Sequence, residues 1–400
     1  MSLEKSWRWF GDDDPIKLNW IRQMGVQGIV TSLHQVPAGE AWKSEDIAAV
    51  KNKINSHGLK WNVVESLPVT EGIKTHSKDY SRLIENYILS LKALSENGIK
   101  KICYNFMPVL DWARTDIRYV LPSGEVSMKF DYAVFAAFDN HILERPNAEK
   151  DYDEKTLSKA EEIFCKLSAE QQNQLANNII VVTQGFIHGN VHDSVYFKSH
   201  FLSLIEKYSD IDQRQLRNNL KCFLDDILPY AKKFGVEMAI HPDDPPFSLL
   251  GLPRIVSTTD DLEWIFDANK SEANGLTLCS GSLSVGNENV CEIAEKFSDK
   301  IKFAHLRNNE VTDYKVFHES GHLDGVVDMV KLMKILLVEQ QRRLKEGIEH
   351  SIPVRPDHGL EILQDESLNN NPGYPLYGRL RGLSEIIGIE KTILNLGLHK

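Results

Sequence analysis

The sequence predicts an α/β protein of the TIM type, a (β/α)8 barrel formed by one chain-long domain. Three observations carry this. Short apolar or β-branched runs alternate with longer segments of helical spacing, eight such runs can be counted, and the side chains best suited to chemistry sit where the later runs end. Eight is the number of parallel strands that closes this barrel. A chain of 400 residues would also accommodate two average domains, but such barrels routinely exceed ordinary domain length as single units.

In chain order the strands are expected at residues 7–10, 28–33, 61–65, 101–105, 236–240, 276–279, 301–306 and 352–355. Helices are expected between them. Ser44 is a plausible N-cap, Ile47, Val50 and Ile54 follow on one face, and Gly58 stands where a helix commonly stops. Leu220, Phe223, Leu224, Ile227 and Leu228 form an apolar stripe before Gly235; Val327, Val330, Met333 and Leu337 form another after the seventh strand. These stripes are expected to be core. One stretch breaks the rhythm: residues 144–212, between the fourth and fifth strands, are polar and too long for an ordinary connection. They are expected to form a mostly helical insertion.

Composition narrows the function. The formal charge of −11 and the absence of any Lys/Arg run argue against a nucleic-acid surface and favour a small-molecule partner. No apolar run reaches the roughly 18 residues that span a bilayer, and the opening MSLEKSWRWF lacks the apolar segment of a secretory signal. A soluble cytoplasmic protein without membrane partners is expected. The five cysteines, Cys103, Cys165, Cys222, Cys279 and Cys291, are scattered and form no CxxC pair, so any functional one acts singly.

The active site of such a barrel lies at the C-terminal ends of its strands. The fifth strand runs into His241 in IHPDDPP, the sixth ends at Cys279, the seventh reaches His305 in FAHLRNN, and the eighth leads to Asp357 in VRPDHG. Two imidazoles, a thiolate and a carboxylate on four successive strands suit a borderline divalent ion such as iron(II), manganese(II) or zinc. A lone strand-end cysteine is more often a small buried hydrophobe, so Cys279 gains its weight from the other three. His34, Glu65, Asn105 and Arg355 are further strand-end groups able to bind hydroxyls or a carboxylate, and Arg307 and Arg355 are natural anion partners. Each arginine could equally form a salt bridge on the barrel rim. In NPGYPLYGRL, Gly373 and the flanking prolines would fix a turn presenting Tyr374 to the barrel mouth; a packed surface tyrosine is the commoner outcome for such a residue.

The segments WRWFG, VVES, CYNFMPVLDWARTD, HPDDPP, LGLPRIVST, HLR, RPDHG and NPGY, in this order, resemble mannonate dehydratases along essentially the whole chain. CYNFMPVLDW and HPDDPP with the following LGLPRIVST are the most specific of them. The resemblance implies dehydration of D-mannonate to 2-keto-3-deoxy-D-gluconate in hexuronate (glucuronate) catabolism, with Mn2+ or Fe2+, on a barrel similar to that of xylose isomerase. It places the metal ligands on His241, Cys279, His305 and Asp357, and active-site roles on Arg307, His358 and Tyr374. A homo-oligomer is expected. The chain departs from the family pattern at CSGSLSVG, where a CTGSYG-type sequence is usual, and in HLRNN. His358 and Tyr374 are the natural acid–base pair, in either order, with Arg307 sharing the charge of the substrate. Two alternatives stay open: a metal-dependent sugar isomerase or epimerase on the same barrel, and a non-catalytic sugar-acid binding protein.

Overall fold

The computed structural model describes residues 2–182, 194–286, 288–348 and 351–399. Its strands in chain order are β1 (Glu4–Arg8), β2 (Gly28–Thr31), β3 (Lys60–Glu65), β4 (Lys101–Tyr104), β5 (Asp116–Val120), β6 (Val126–Asp131), β7 (Glu237–Ile240), β8 (Asn274–Cys279), β9 (Ile301–His305), β10 (Asn309–Asp313), β11 (Val316–Glu319) and β12 (Pro353–Arg355). Eight of them close a parallel barrel in the order β1-β12-β9-β8-β7-β4-β3-β2, so the predicted fold class holds. Val30, Val63, Cys103 and Phe303 fill the barrel interior as one small cluster, while the larger core lies between strands and helices.

The first strand starts earlier than its apolar run. Glu4 and Lys5 pair in register with Pro353 and Val354, and the Lys5 ammonium is buried against Glu390 of the last helix. Charged residues whose partner lies at the far end of the chain look like loop in one dimension. The helix Ser44–Ser56 begins at Ser44 itself, which makes no capping bond; Glu45 and Asp46 instead place negative charge in the positive first turn. Helix Gln213–Phe234 buries the whole expected stripe and ends at Gly235 with φ +63°. In helix Met329–Lys345 the buried stripe is Met329, Leu332, Met333, Leu336 and Leu337, and Val330 is exposed. Of the expected stripe, Val327, Met333 and Leu337 are buried, and only Val330 falls on the outer face.

A second sheet was not anticipated. β5 and β6, which follow barrel strand β4, pair antiparallel with β10 and β11, which follow β9, in the order β10-β11-β6-β5. Phe130 and Phe317 face each other across this sheet, stacked at 5.6 Å. Its strands alternate short polar and apolar residues, DIRYV and NEVTD, with no continuous apolar run to mark them. Within residues 144–212 the described elements include helices Glu154–Phe164, Ala169–Asn177 and Ser194–Glu206, the first two capped by Asp153 and Ser168. Residues 183–193 of that stretch lie outside the described residues. Tyr208, near its end, donates to Glu71 of the segment after β3.

Candidate active site

Strand register sets the site. Cys279 lies level with His305, and His305 with Arg355, so β8, β9 and β12 present these three side chains as one rung at the C-terminal end of the barrel. His241 follows β7 directly and Asp357 lies two residues past β12, held at φ +54°. One donor atom from each of His241, Cys279 and His305 lies within 4.8 Å of the other two. Asp357 Oδ2 is 3.8 Å from the Cys279 sulfur and 4.0 Å from His305 Nδ1.

The tautomers of both imidazoles are fixed from behind. His241 Nδ1 lies 2.6 Å from the Pro242 carbonyl, and an acceptor there requires a proton on Nδ1, leaving Nε2 a bare lone pair. His305 Nε2 faces Glu65 Oε2 at 3.3 Å without a formed hydrogen bond; the carboxylate favours a proton on Nε2, the tautomer that leaves Nδ1 bare. The two free lone pairs, His241 Nε2 and His305 Nδ1, point at each other across 3.2 Å. Facing lone pairs repel unless a cation lies between them, so the donor set fits a metal ion on its own chemistry. Burial lowers the pKa of His241 from its ordinary value and keeps it neutral. Burial alone would raise Asp357, but Arg355, His358, His305 and Arg307 hold it well below the carboxylate range.

Beside this cluster a cavity opens, lined among others by Glu65, Asn105, Asp357, His358 and Tyr374. Tyr374 Oη lies 3.2 Å from His358 Nε2. Gly373 makes that approach possible: it has φ +79°, and a Cβ there would stand 2.4 Å from the Met128 methyl. Burial pushes the Tyr374 phenol up to about 12, so it is a proton donor at neutral pH. On the other edge of His358, Nδ1 meets Glu319 Oε1 at 2.6 Å.

The two nominated arginines are already engaged. Arg307 pairs with Asp244 at 2.7 Å and Glu319 at 3.5 Å, and Arg355 with Glu65 at 2.6 Å and Asp357 at 2.5 Å. Both line the cavity with their charge already opposed by these carboxylates, although Arg307 Nε and Arg355 Nη1 make no hydrogen bond. Arg114, fully buried, ties Asp244 to Glu319 at 2.8 and 3.0 Å. Burial would raise Asp244, yet Arg114 and Arg307 hold it far below the usual range.

Of the residues singled out from sequence, the structure brings His241, Cys279, His305, Asp357, Arg307, Arg355, His358, Tyr374, Glu65 and Asn105 to one place. His34 stands one layer back, its ring 6.1 Å from Phe10, and is not among the lining residues. Residues missed include Arg8, Asp111, Trp112, Arg114, Asp244 and Glu319. Asp244 and the Asp111–Arg114 group lie inside the two longest motifs, which was the available signal; Glu319, in KVFHES, had none. In CSGSLSVG, Ser280 stands where the CTGSYG pattern has threonine, while Ser282 is common to both. Ser280 Oγ bonds the Arg307 backbone, and Ser282 Oγ contacts both the Cys279 sulfur at 3.1 Å and Arg307. Asn308 and Asn309 are spent on backbone carbonyls of neighbouring loops.

Fold and site together define a (β/α)8-barrel enzyme that works on a small, polar substrate at the C-terminal mouth of its strands. The comparisons with known proteins narrow this class. A family model described as D-mannonate dehydratase (UxuA) matches residues 3–399, and the chain belongs to that family of hydro-lyases. It is 46% identical over 398 residues to a mannonate dehydratase of Chromohalobacter salexigens, covering 99% of this chain and 100% of that one. A mannonate dehydratase of Marinomonas sp. is 44% identical, with 97% and 98% covered. The crystal structure of mannonate dehydratase from Streptococcus suis serotype 2 superposes with a TM-score of 0.76 at 31% identity, covering 99% of this chain and 95% of that one. No helix among the described residues is long and apolar enough to cross a membrane.

Proposed function

We propose that this chain converts D-mannonate to 2-keto-3-deoxy-D-gluconate and water with a divalent ion, Mn2+ or Fe2+, held by His241, Cys279, His305 and Asp357. The observation that carries the reading is the pair of facing imidazole lone pairs, with thiol and carboxylate beside them, set next to the Tyr374–His358 contact. A bound ion would polarise substrate oxygens and stabilise the negative charge that builds as C2 loses its proton.

The remaining work falls to side chains. His358 Nδ1 faces both Glu319 Oε1 at 2.6 Å and Arg307 Nη1 at 2.9 Å; with its proton given to the closer carboxylate, Nε2 carries the lone pair, and His358 is assigned as the base toward the C2 proton. Tyr374, protonated at neutral pH, donates to the departing 3-hydroxyl. The C2–H electron pair becomes the C2–C3 double bond as the C3–O bond breaks; water leaves, and the resulting enol takes a proton at C3 to give the 2-keto-3-deoxy acid. Arg307 borders this step and holds Asp244, Glu319 and His358 in register. Glu65 orients His305, Arg355 orients Glu65 and Asp357, and Asn105 and Glu65 offer hydrogen bonds to substrate hydroxyls, with His34 supporting Phe10 behind them. We also read the chain as one barrel domain with residues 144–212 inserted, working as a homo-oligomer in the cytoplasm in hexuronate breakdown.

The test is incubation of purified protein with D-mannonate and added manganese(II) or iron(II), with and without EDTA, and assay for a 2-keto-3-deoxy acid. Metal-dependent product is expected. Saturable binding without product, or an isomerised sugar acid instead, would overturn the reading.

A further inference from the structure

Arg8 differs from the other arginines of the cavity. Arg307 reaches three carboxylates, Asp244, Glu319 and Asp357, while Arg355 and Arg114 behind it each hold two. Arg8 lines the cavity at the end of β1 and is 7% exposed; like Arg114, Arg307 and Arg355 it has a buried guanidinium nitrogen with no hydrogen-bond partner, but unlike them it makes no ion pair among the described residues, the Glu65 carboxylate that acts on it being paired with Arg355. A buried guanidinium without a counter-ion is costly, and a carboxylate meeting its fork removes that cost through charge-assisted, bidentate bonds.

Placement agrees with charge. The Arg8 guanidinium lies over the Phe10 ring at 5.0 Å, and the same ring packs edge-on against Tyr374 at 4.8 Å. One aromatic side chain thus separates an unsatisfied cation from the proton donor of the proposed reaction. An aldonate carries one anionic group, at C1, and its leaving hydroxyl two carbons away.

We propose that Arg8 is the carboxylate anchor of the site: its fork takes the C1 carboxylate, which sets C2 and C3 toward His358 and Tyr374 and makes the enzyme select sugar acids over neutral aldoses and polyols. The assignment rests on the sugar-acid reading above. Hydroxyl groups could hydrogen-bond to Arg8 but would leave its charge uncompensated.

The test compares calorimetric binding of D-mannonate and its neutral amide, D-mannonamide, to metal-loaded wild-type, Arg8→Gln and Arg8→Lys proteins, with turnover of D-mannonate measured alongside. Arg8→Gln is expected to weaken D-mannonate about 100-fold and D-mannonamide less than about threefold. Arg8→Lys, which keeps the charge but loses the fork, is expected to weaken D-mannonate about tenfold, again sparing the amide. Equal weakening of acid and amide, or unchanged affinity for D-mannonate, would overturn the proposal. If Arg8→Gln does not fold by circular dichroism, the Arg8→Lys comparison decides by the same criterion. Wild-type protein that binds D-mannonate without turning it over would sink the dehydration reading while leaving the Arg8 comparison intact.

Discussion

The barrel and the four-stranded sheet over its mouth contribute to the site in different ways. Barrel strands β7, β8, β9 and β12 bring two imidazoles, a thiol and a carboxylate around one point, each at a strand end or within two residues of it. The β5–β6 and β10–β11 sheet supplies no donor to that point. Through Glu319, and through Arg114 just before β5, it supplies charges that fix how His358 and Arg307 stand. In the proposed reading, the barrel determines whether an ion can be held, and the sheet determines how His358 and Tyr374 are set as an acid–base pair. Damage to either should reduce activity, but with different accompanying signs.

The largest effect should come from the barrel. Cys279→Ala is expected to strip the ion and abolish turnover, read as metal content by elemental analysis after dialysis; full occupancy would remove the thiolate from the ligand set. Tyr374→Phe lies between the two regions and should keep its metal while losing turnover by about 100-fold, the usual scale for an acid–base group. A variant with wild-type turnover would exclude Tyr374 from proton transfer. Glu319→Gln tests the sheet. With metal content and KM unchanged, kcat is expected to fall about tenfold, as for other residues that orient a functional histidine; loss of metal would show that the two regions are not separable as described.

The smallest effect belongs to the opposite end of the barrel. Burial would raise Glu237, but Lys101 and Lys302 hold it at about 2. A carboxylate depressed in the folded state stabilises above its ordinary pKa and loses that contribution as pH falls toward the folded value. Wild-type protein should lose melting temperature between pH 4.5 and 2 faster than Glu237→Gln by about 2 °C, with activity at pH 7 alike in the two. Identical melting profiles would discount this ion pair.

What was legible in the sequence follows the same division. A buried parallel strand announces itself by an apolar run and by what ends it, so the eight barrel strands and the four donors were readable. The antiparallel sheet is half exposed, short and charged, and its pairing joins segments from different connections, so periodicity could not reveal it. Arg307 and Arg355 were located correctly, but that they are occupied by Asp244, Glu319, Glu65 and Asp357 is a matter of tertiary distance. Arg8 was passed over because a single arginine in WRWFG carries no periodic or spacing signal of its own.

The Arg114–Glu319 pair joins residues 205 positions apart. Contacts of such long sequence separation form late, because the loop-closure entropy must be met before the contact can reward it. Barrel closure spans still more of the chain, since Glu4 of β1 pairs with Pro353 of β12. The roof and the ring of strand ends beneath it therefore both wait on distant parts of the chain, and a chain cut short at either end should lose them together.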